Sequence, residues 1–123
     1  MDRFERLELA TPAFSHADHV KVALAMLNVY DYVDACSRYA RTIFAMTEKL
    51  GVPGKYNTTI TFAFMSLIAE RKAHDPELGT DRFLERYPEL LDSSILTTLY
   101  SKERIDSDSA RQHFLLPDLL PDR

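Results

Sequence analysis

Apolar side chains recur along most of this chain at intervals of three and four residues, the spacing of one face of an α-helix. The first such segment begins at Ser15, which is followed three residues later by Asp18 in the pattern of a capping box. From there the pattern predicts a long helix that continues to about Tyr30. Its apolar positions are Val20, Ala23, Leu24 and Leu27.

Two more long helices are predicted from the same spacing. Asp31 is the expected cap of the second, which ends at Gly51, because a Gly-Val-Pro-Gly sequence there forces a loop. Asn57 is the expected cap of the third, whose pattern continues through Ala73. The β-branched run at residues 58–61 lowers helix propensity by about a few tenths of a kcal/mol per residue, which the strong helical period outweighs.

Shorter elements are predicted after the third long helix. Thr80 is the expected cap of a short helix that stops near Pro88. Asp92 is the expected cap of another short helix, which reaches Tyr100. A last helical turn is expected after Ser107.

The two ends of the chain show no clear helical period. Residues 1–12 fit either an extended segment or a short helical arm, and the prolines in residues 115–121 exclude a regular helix. The leucines of that last segment predict that it lies across the body of the protein. We therefore expect one all-α domain over residues 1–123, a compact bundle of about three long and two or three short helices.

Composition narrows the classes of partner. Lys and Arg total 15 against 19 Asp and Glu, for a net charge of -4, and no segment is basic enough to bind nucleic acid. No apolar run approaches the roughly 18 residues of a membrane span, and the N-terminus does not resemble a signal peptide. The single cysteine, Cys36, cannot form an internal disulfide, which fits a cytoplasmic location.

The first predicted helix carries a pair of histidines, His16 and His19, on one face of its first turn. Such a pair can bind a divalent metal such as Zn if a third ligand is present, for which Glu70 or Asp18 are the candidates. The positive end of a helix also favours neutral imidazoles, which suits a general base. The alternative is a structural role for both histidines.

A second polar group lies at the junction between the loop and the third long helix. A helix N-terminus with a nearby lysine can bind a carboxylate or phosphate, although an ordinary capped turn has the same composition. Because the first and third helices of an antiparallel bundle run parallel, this junction and the histidine pair are expected at the same end of the bundle. The residues of the junction are Lys55, Tyr56, Asn57, Thr58 and Thr61.

These positions predict a small-molecule enzyme. His16 or His19 is the expected general base, while Lys55 or Tyr56 binds an anionic or carbonyl group. Two alternatives remain: a non-catalytic binding or accessory protein, and a metal-binding protein that uses the histidine pair. The side chains expected to contact the substrate are Asn57, Thr58 and Thr61.

The two polar motifs resemble those of a family of small bacterial helical proteins, in which the first motif is H-x-x-H and the second is K-Y-H-x-T-I-T. The resemblance implies the helical fold and the positions of the site, and it carries no activity. Asn57 stands where the family motif has a third histidine, which implies a pocket with an amide in place of a metal ligand. The matching segments are FSHADHV at 14–20, GKYNTTIT at 54–61, LLD at 90–92, YSKER at 100–104 and LLPDL at 115–119.

Overall fold

A computed structural model describes residues 2–11 and 13–119 of the chain. The described residues form seven α-helices, as the predicted all-α class requires. None of these helices combines the length and the apolarity that crossing a bilayer requires. The helices are α1 (Asp2–Glu5), α2 (His16–Val29), α3 (Tyr32–Lys49), α4 (Thr58–His74), α5 (Thr80–Arg86), α6 (Lys102–Ile105) and α7 (Asp108–Gln112), and 3-10 turns occupy Pro53–Lys55, Pro88–Leu91 and Ile95–Thr98.

The three long helices begin where side chains satisfy their first backbone N–H groups. The hydroxyl of Ser15 accepts a hydrogen bond from the backbone of Asp18, and the Asp18 carboxylate accepts one from the Ser15 N–H, which completes the predicted capping box. Asp31 and Asn57 each accept a hydrogen bond from the backbone N–H three residues further on. All three predicted starts are confirmed.

The ends of α3 and α4 also follow the sequence pattern. Gly51, just beyond α3, has a φ of 74°, a left-handed conformation that glycine adopts without steric cost. The α4 helix tolerates its β-branched first turn because Thr59 and Thr61 are buried against neighbouring segments. Tertiary packing therefore compensates for weak local propensity.

Helices α2, α3 and α4 pack against one another and enclose the main core. The N-terminal segment, which the sequence pattern left open, forms a helical arm that closes this core. Its Phe4 is completely buried and its ring stacks on Tyr39 at 5.7 Å between centroids. The arm thus packs against α3 and contributes Phe4 to the core.

Two predicted caps are wrong. Helix α5 begins after Gly79, whose carbonyl accepts the first helical hydrogen bond from Phe83, so Thr80 is inside the helix. Asp92 does not start a helix. Its carboxylate accepts the backbone N–H of Ser94 in a tight turn, and the following 3-10 segment ends at Thr98, before Tyr100.

The segment after α7 lies across the first turn of α4, as predicted up to residue 119; residues 120 and 121 are outside the described part of the chain. The Thr59 hydroxyl donates to the His113 carbonyl and accepts from the Leu115 N–H. The Tyr100 hydroxyl donates to the Leu115 carbonyl. Helix α7 follows Ser107, which caps it as predicted.

Candidate functional site

A pocket of about 310 Å³ lies between α2, α3 and α4, at the end of the bundle where α2 and α4 begin. This volume is at the lower end of the range of about 300 to 1,000 Å³ that is typical of small-molecule sites. Met65 and Ile68, 0% and 1% exposed, are among its most buried apolar residues. The other apolar walls come from Val20, Ala23, Ile43, Ile60 and Phe64.

Most of the site residues predicted from the sequence line this one pocket. Thr58 is the exception. At 100° per residue it lies about a quarter turn from the centre of the stripe of α4 that faces the pocket. The predicted residues that the structure brings together are His16, His19, Lys55, Tyr56, Asn57 and Thr61.

His16 is oriented by a backbone carbonyl. Its Nε2 lies 2.9 Å from the oxygen of Leu90, and because a carbonyl only accepts, Nε2 must carry the hydrogen. In the neutral ring the lone pair is then on Nδ1. The ring also packs edge-on against Phe64 at 5.0 Å. No sequence pattern indicates this partner, which belongs to a 3-10 turn 74 residues further along the chain.

His19 pairs with a buried phenol. Its Nδ1 lies 3.1 Å from the hydroxyl of Tyr39, a residue that is 6% exposed. No other described residue bonds to this hydroxyl, and a buried O–H left without an acceptor is costly. We therefore assign the Tyr39 O–H as donor to Nδ1, which leaves the hydrogen of the neutral His19 ring on Nε2.

His19 is neutral near pH 7. Burial lowers the pKa of His19 from 6.5 to about 4, with a smaller contribution from the charge of His16, while Asp18 acts in the opposite direction. The position of His19 at a helix N-terminus also predicts a lowered pKa. In the structure, the main cause is the removal of water from the buried ring. Burial also raises the pKa of Tyr39, so its hydroxyl keeps its proton.

The rim of the pocket is polar and contains one cation. Lys55 is exposed in the turn before α4 and forms no ion pair with any described residue. The Tyr56 ring packs edge-on against Phe44 at 5.3 Å. Ser93 also reaches the rim, and no sequence pattern indicated it. No aspartate or glutamate is among the described residues that line the pocket.

Asn57 and Thr61 line the pocket but use their polar groups to hold the fold. The Asn57 oxygen accepts from the Ile60 N–H, and its amide nitrogen donates to the Ile105 carbonyl at 2.7 Å. The Thr61 hydroxyl donates to the Asn57 carbonyl. Because these polar groups are bonded within the fold, the structure favours a structural role over the predicted substrate-binding role of both side chains.

In the described part of the chain, the predicted metal site has no third protein ligand. No group of three or more histidine, cysteine, aspartate or glutamate side chains in residues 2–11 and 13–119 is arranged to hold a metal. The Asp18 carboxylate is bound within the cap of α2. Glu70 is not among the residues that line the pocket, and it follows Phe64, the α4 contact of His16, by about 9 Å along the helix. A hydrogen-bonding role for His16 and His19 therefore fits the geometry better.

Comparison with known proteins finds no family model, curated protein or solved structure that matches the chain. The function is therefore inferred from the geometry of the pocket.

Proposed function

We propose that the protein is a small-molecule enzyme that transfers protons in the pocket between α2, α3 and α4. The main support is that His16 and His19 line the same small pocket and differ in the nitrogen that remains unbound. The unbound nitrogen is Nδ1 in His16 and Nε2 in His19. One ring retains a lone pair and the other an N–H. That combination suits a reaction that needs a base and a hydrogen-bond donor together.

His16 is the proposed general base. The Leu90 carbonyl fixes Nε2–H, so Nδ1 is the atom that accepts a proton from the substrate. When protonated, the ring keeps the same hydrogen bond, and the carbonyl stabilises the imidazolium. A base held in one tautomer needs no rearrangement before proton transfer.

His19 is the proposed hydrogen-bond donor, and Tyr39 is its positioning residue. A pKa of about 4 makes His19 a weak base at neutral pH, which argues against a second base. A neutral imidazole N–H can instead stabilise negative charge that develops on a carbonyl oxygen. The Tyr39 hydroxyl keeps that hydrogen on Nε2.

The reaction class that uses both groups is proton removal from a carbon next to a carbonyl. The C–H bond breaks, its electron pair moves to form an enolate, and the proton goes to His16 Nδ1. His19 Nε2–H binds the enolate oxygen. Return of the proton to the same or another carbon gives exchange or isomerisation, with no oxidation or reduction.

Solvent deuterium exchange tests this proposal without a known substrate. The protein is incubated with a bacterial metabolite extract in D₂O, and mass spectrometry identifies metabolites that gain deuterium. We expect the His16→Gln variant to lose exchange by at least about 100-fold, the usual contribution of a general base. The matched control is His74→Gln, which removes an exposed histidine far from the pocket.

The same experiment distinguishes the alternative. If no metabolite gains deuterium with the wild-type protein, or if His16→Gln exchanges as fast as His74→Gln, the catalytic proposal is wrong. A ligand that binds the pocket without exchange would favour a binding protein.

A further inference from the structure

The polarity of the pocket changes from rim to floor. At the floor, Ile43, Met65 and Ile68 are at most 9% exposed and apolar, and the buried Tyr39 beside them has its hydroxyl bound to His19. At the rim are the Lys55 ammonium and the hydroxyl of Tyr56. Neither group bonds to another described residue, so both can bind a ligand without losing a partner in the fold.

The charge at this rim is opposite to that of the whole chain. The protein has a net charge of -4, but the described lining of the pocket contains a lysine and no carboxylate. A ligand anion at the rim therefore meets an attractive charge in the lining, while the Asp92 carboxylate, which is next to Ser93 and interacts with the charge of His16, lies outside the lining. At the edge of the pocket the anion also stays hydrated, so the cost of burying a charge is small.

We propose that the substrate of this pocket is a small monocarboxylate, with its carboxylate at Lys55 and its apolar body against Ile43, Met65 and Ile68. This inference rests on the proposed function, since it names the substrate class of the same site. One lysine balances one negative charge. A phosphate ester carries close to two, and the second would be uncompensated in an acidic protein.

This orientation places the reacting part of the substrate between the rim and the floor. His16 and His19 belong to the first turn of α2, on the wall that joins the two. A carbonyl group a few bonds from the carboxylate would reach His19, while the apolar end remains on the floor. The substrate is thus an oxo acid with an apolar tail.

Matched acid and amide pairs test the carboxylate. Butanoate, hexanoate, octanoate and phenylacetate are titrated against the full-length protein, each beside its neutral amide, with binding followed by calorimetry and by NMR shifts of the Met65 and Ile68 methyl groups. We expect at least one acid to bind more tightly than its amide by about two- to fivefold, the range of an exposed ion pair. Added salt should weaken the acid and leave the amide unchanged.

Two variants of equal charge locate the effect. Lys55→Gln should reduce the affinity of the acid to that of its amide. Lys21 is an exposed lysine on α2 outside the pocket, so Lys21→Gln should leave the difference in affinity between acid and amide unchanged. The inference is overturned if no acid exceeds its amide, if both variants behave alike, or if hexyl phosphate binds more tightly than hexanoate. Deuterium exchange that persists with a neutral substrate would keep the proposed function and reject only the carboxylate.

Discussion

The two pocket histidines differ in the nitrogen that their partners leave free. His16 donates through Nε2 to a carbonyl, and His19 accepts at Nδ1 from a phenol. Both neutral rings therefore carry their hydrogen on Nε2. In His16 this nitrogen is bound and Nδ1 is free, whereas in His19 Nδ1 is bound and Nε2 is free. The proposed roles of His16 as base and His19 as hydrogen-bond donor follow from this difference.

Nitrogen chemical shifts test the tautomers directly. In two-dimensional ¹H–¹⁵N spectra of the protein at pH 7.5, we expect both neutral rings to be protonated at Nε2. Tyr39→Phe removes the hydroxyl that binds His19 Nδ1, so His19 should become a mixture of both tautomers. His16 should be unchanged and serves as the internal control. A wild-type His19 protonated at Nδ1 would contradict the assigned hydrogen bond.

The sequence identified the residue types of this site and their common end of the bundle, but not what each nitrogen binds. Helical spacing puts His16 and His19 on one face of α2. Their partners lie 74 and 20 residues away, in positions that only the packed structure determines. Local patterns contain no information about such contacts.

At the scale of elements, the first turn of α4 joins the pocket to the end of the chain. Asn57 caps the helix, lines the pocket and binds the Ile105 carbonyl. Two residues later, the completely buried Thr59 holds the backbone at His113 and Leu115. The C-terminal segments thus fix the end of the helix that forms one wall of the pocket.

Replacing Thr59 tests this connection. Thr59→Val keeps the shape of the side chain and leaves the His113 carbonyl and the Leu115 N–H without their partner. We expect the free energy of unfolding to fall by about 1 kcal/mol. Deuterium exchange of the Leu115 amide should accelerate in the native state.

The matched control is Thr98→Val, because the exposed Thr98 hydroxyl bonds only to a carbonyl in its own turn. Equal effects of the two substitutions on amide exchange at Leu115 would show that Thr59 does not hold the tail.

The long helices could be predicted from sequence because their caps are local. Each of Ser15, Asp31 and Asn57 bonds to a backbone group three residues away. The 3-10 turn at Pro88–Leu91 is not predicted, and the one at Ile95–Thr98 is predicted as a longer helix that reaches Tyr100, because short helices depend on packing. Leu90 and Leu96, 0% and 5% exposed, supply that packing.

At the scale of the whole molecule, burial of a neutral histidine makes stability depend on pH. The folded protein keeps His19 neutral down to about pH 4, whereas the unfolded chain binds a proton below about pH 6.5. Protons therefore favour the unfolded state between these values. Below pH 4 both states are protonated, and the contribution of His19 becomes constant.

Chemical unfolding between pH 7.5 and 4 measures this effect. We expect the free energy of unfolding to fall by an amount on the order of 3 kcal/mol because of His19 alone. The His19→Gln variant cannot titrate at this position, so its stability should depend less steeply on pH in the same range. Two parallel curves would contradict the burial of a neutral imidazole. The control is His74→Gln, which should follow the wild type.

The tail contacts have a consequence for tolerance to sequence change. Ser101 binds the Asp118 carboxylate, whereas Thr59, Tyr100 and Arg104 bind main-chain atoms of residues 113, 115 and 116. Every residue type supplies a carbonyl, so these bonds survive most substitutions in the tail. An insertion or deletion of one residue would instead shift every carbonyl out of register. At residues 113, 115 and 116 the length of the C-terminal segment therefore matters more for these bonds than the identity of the side chains.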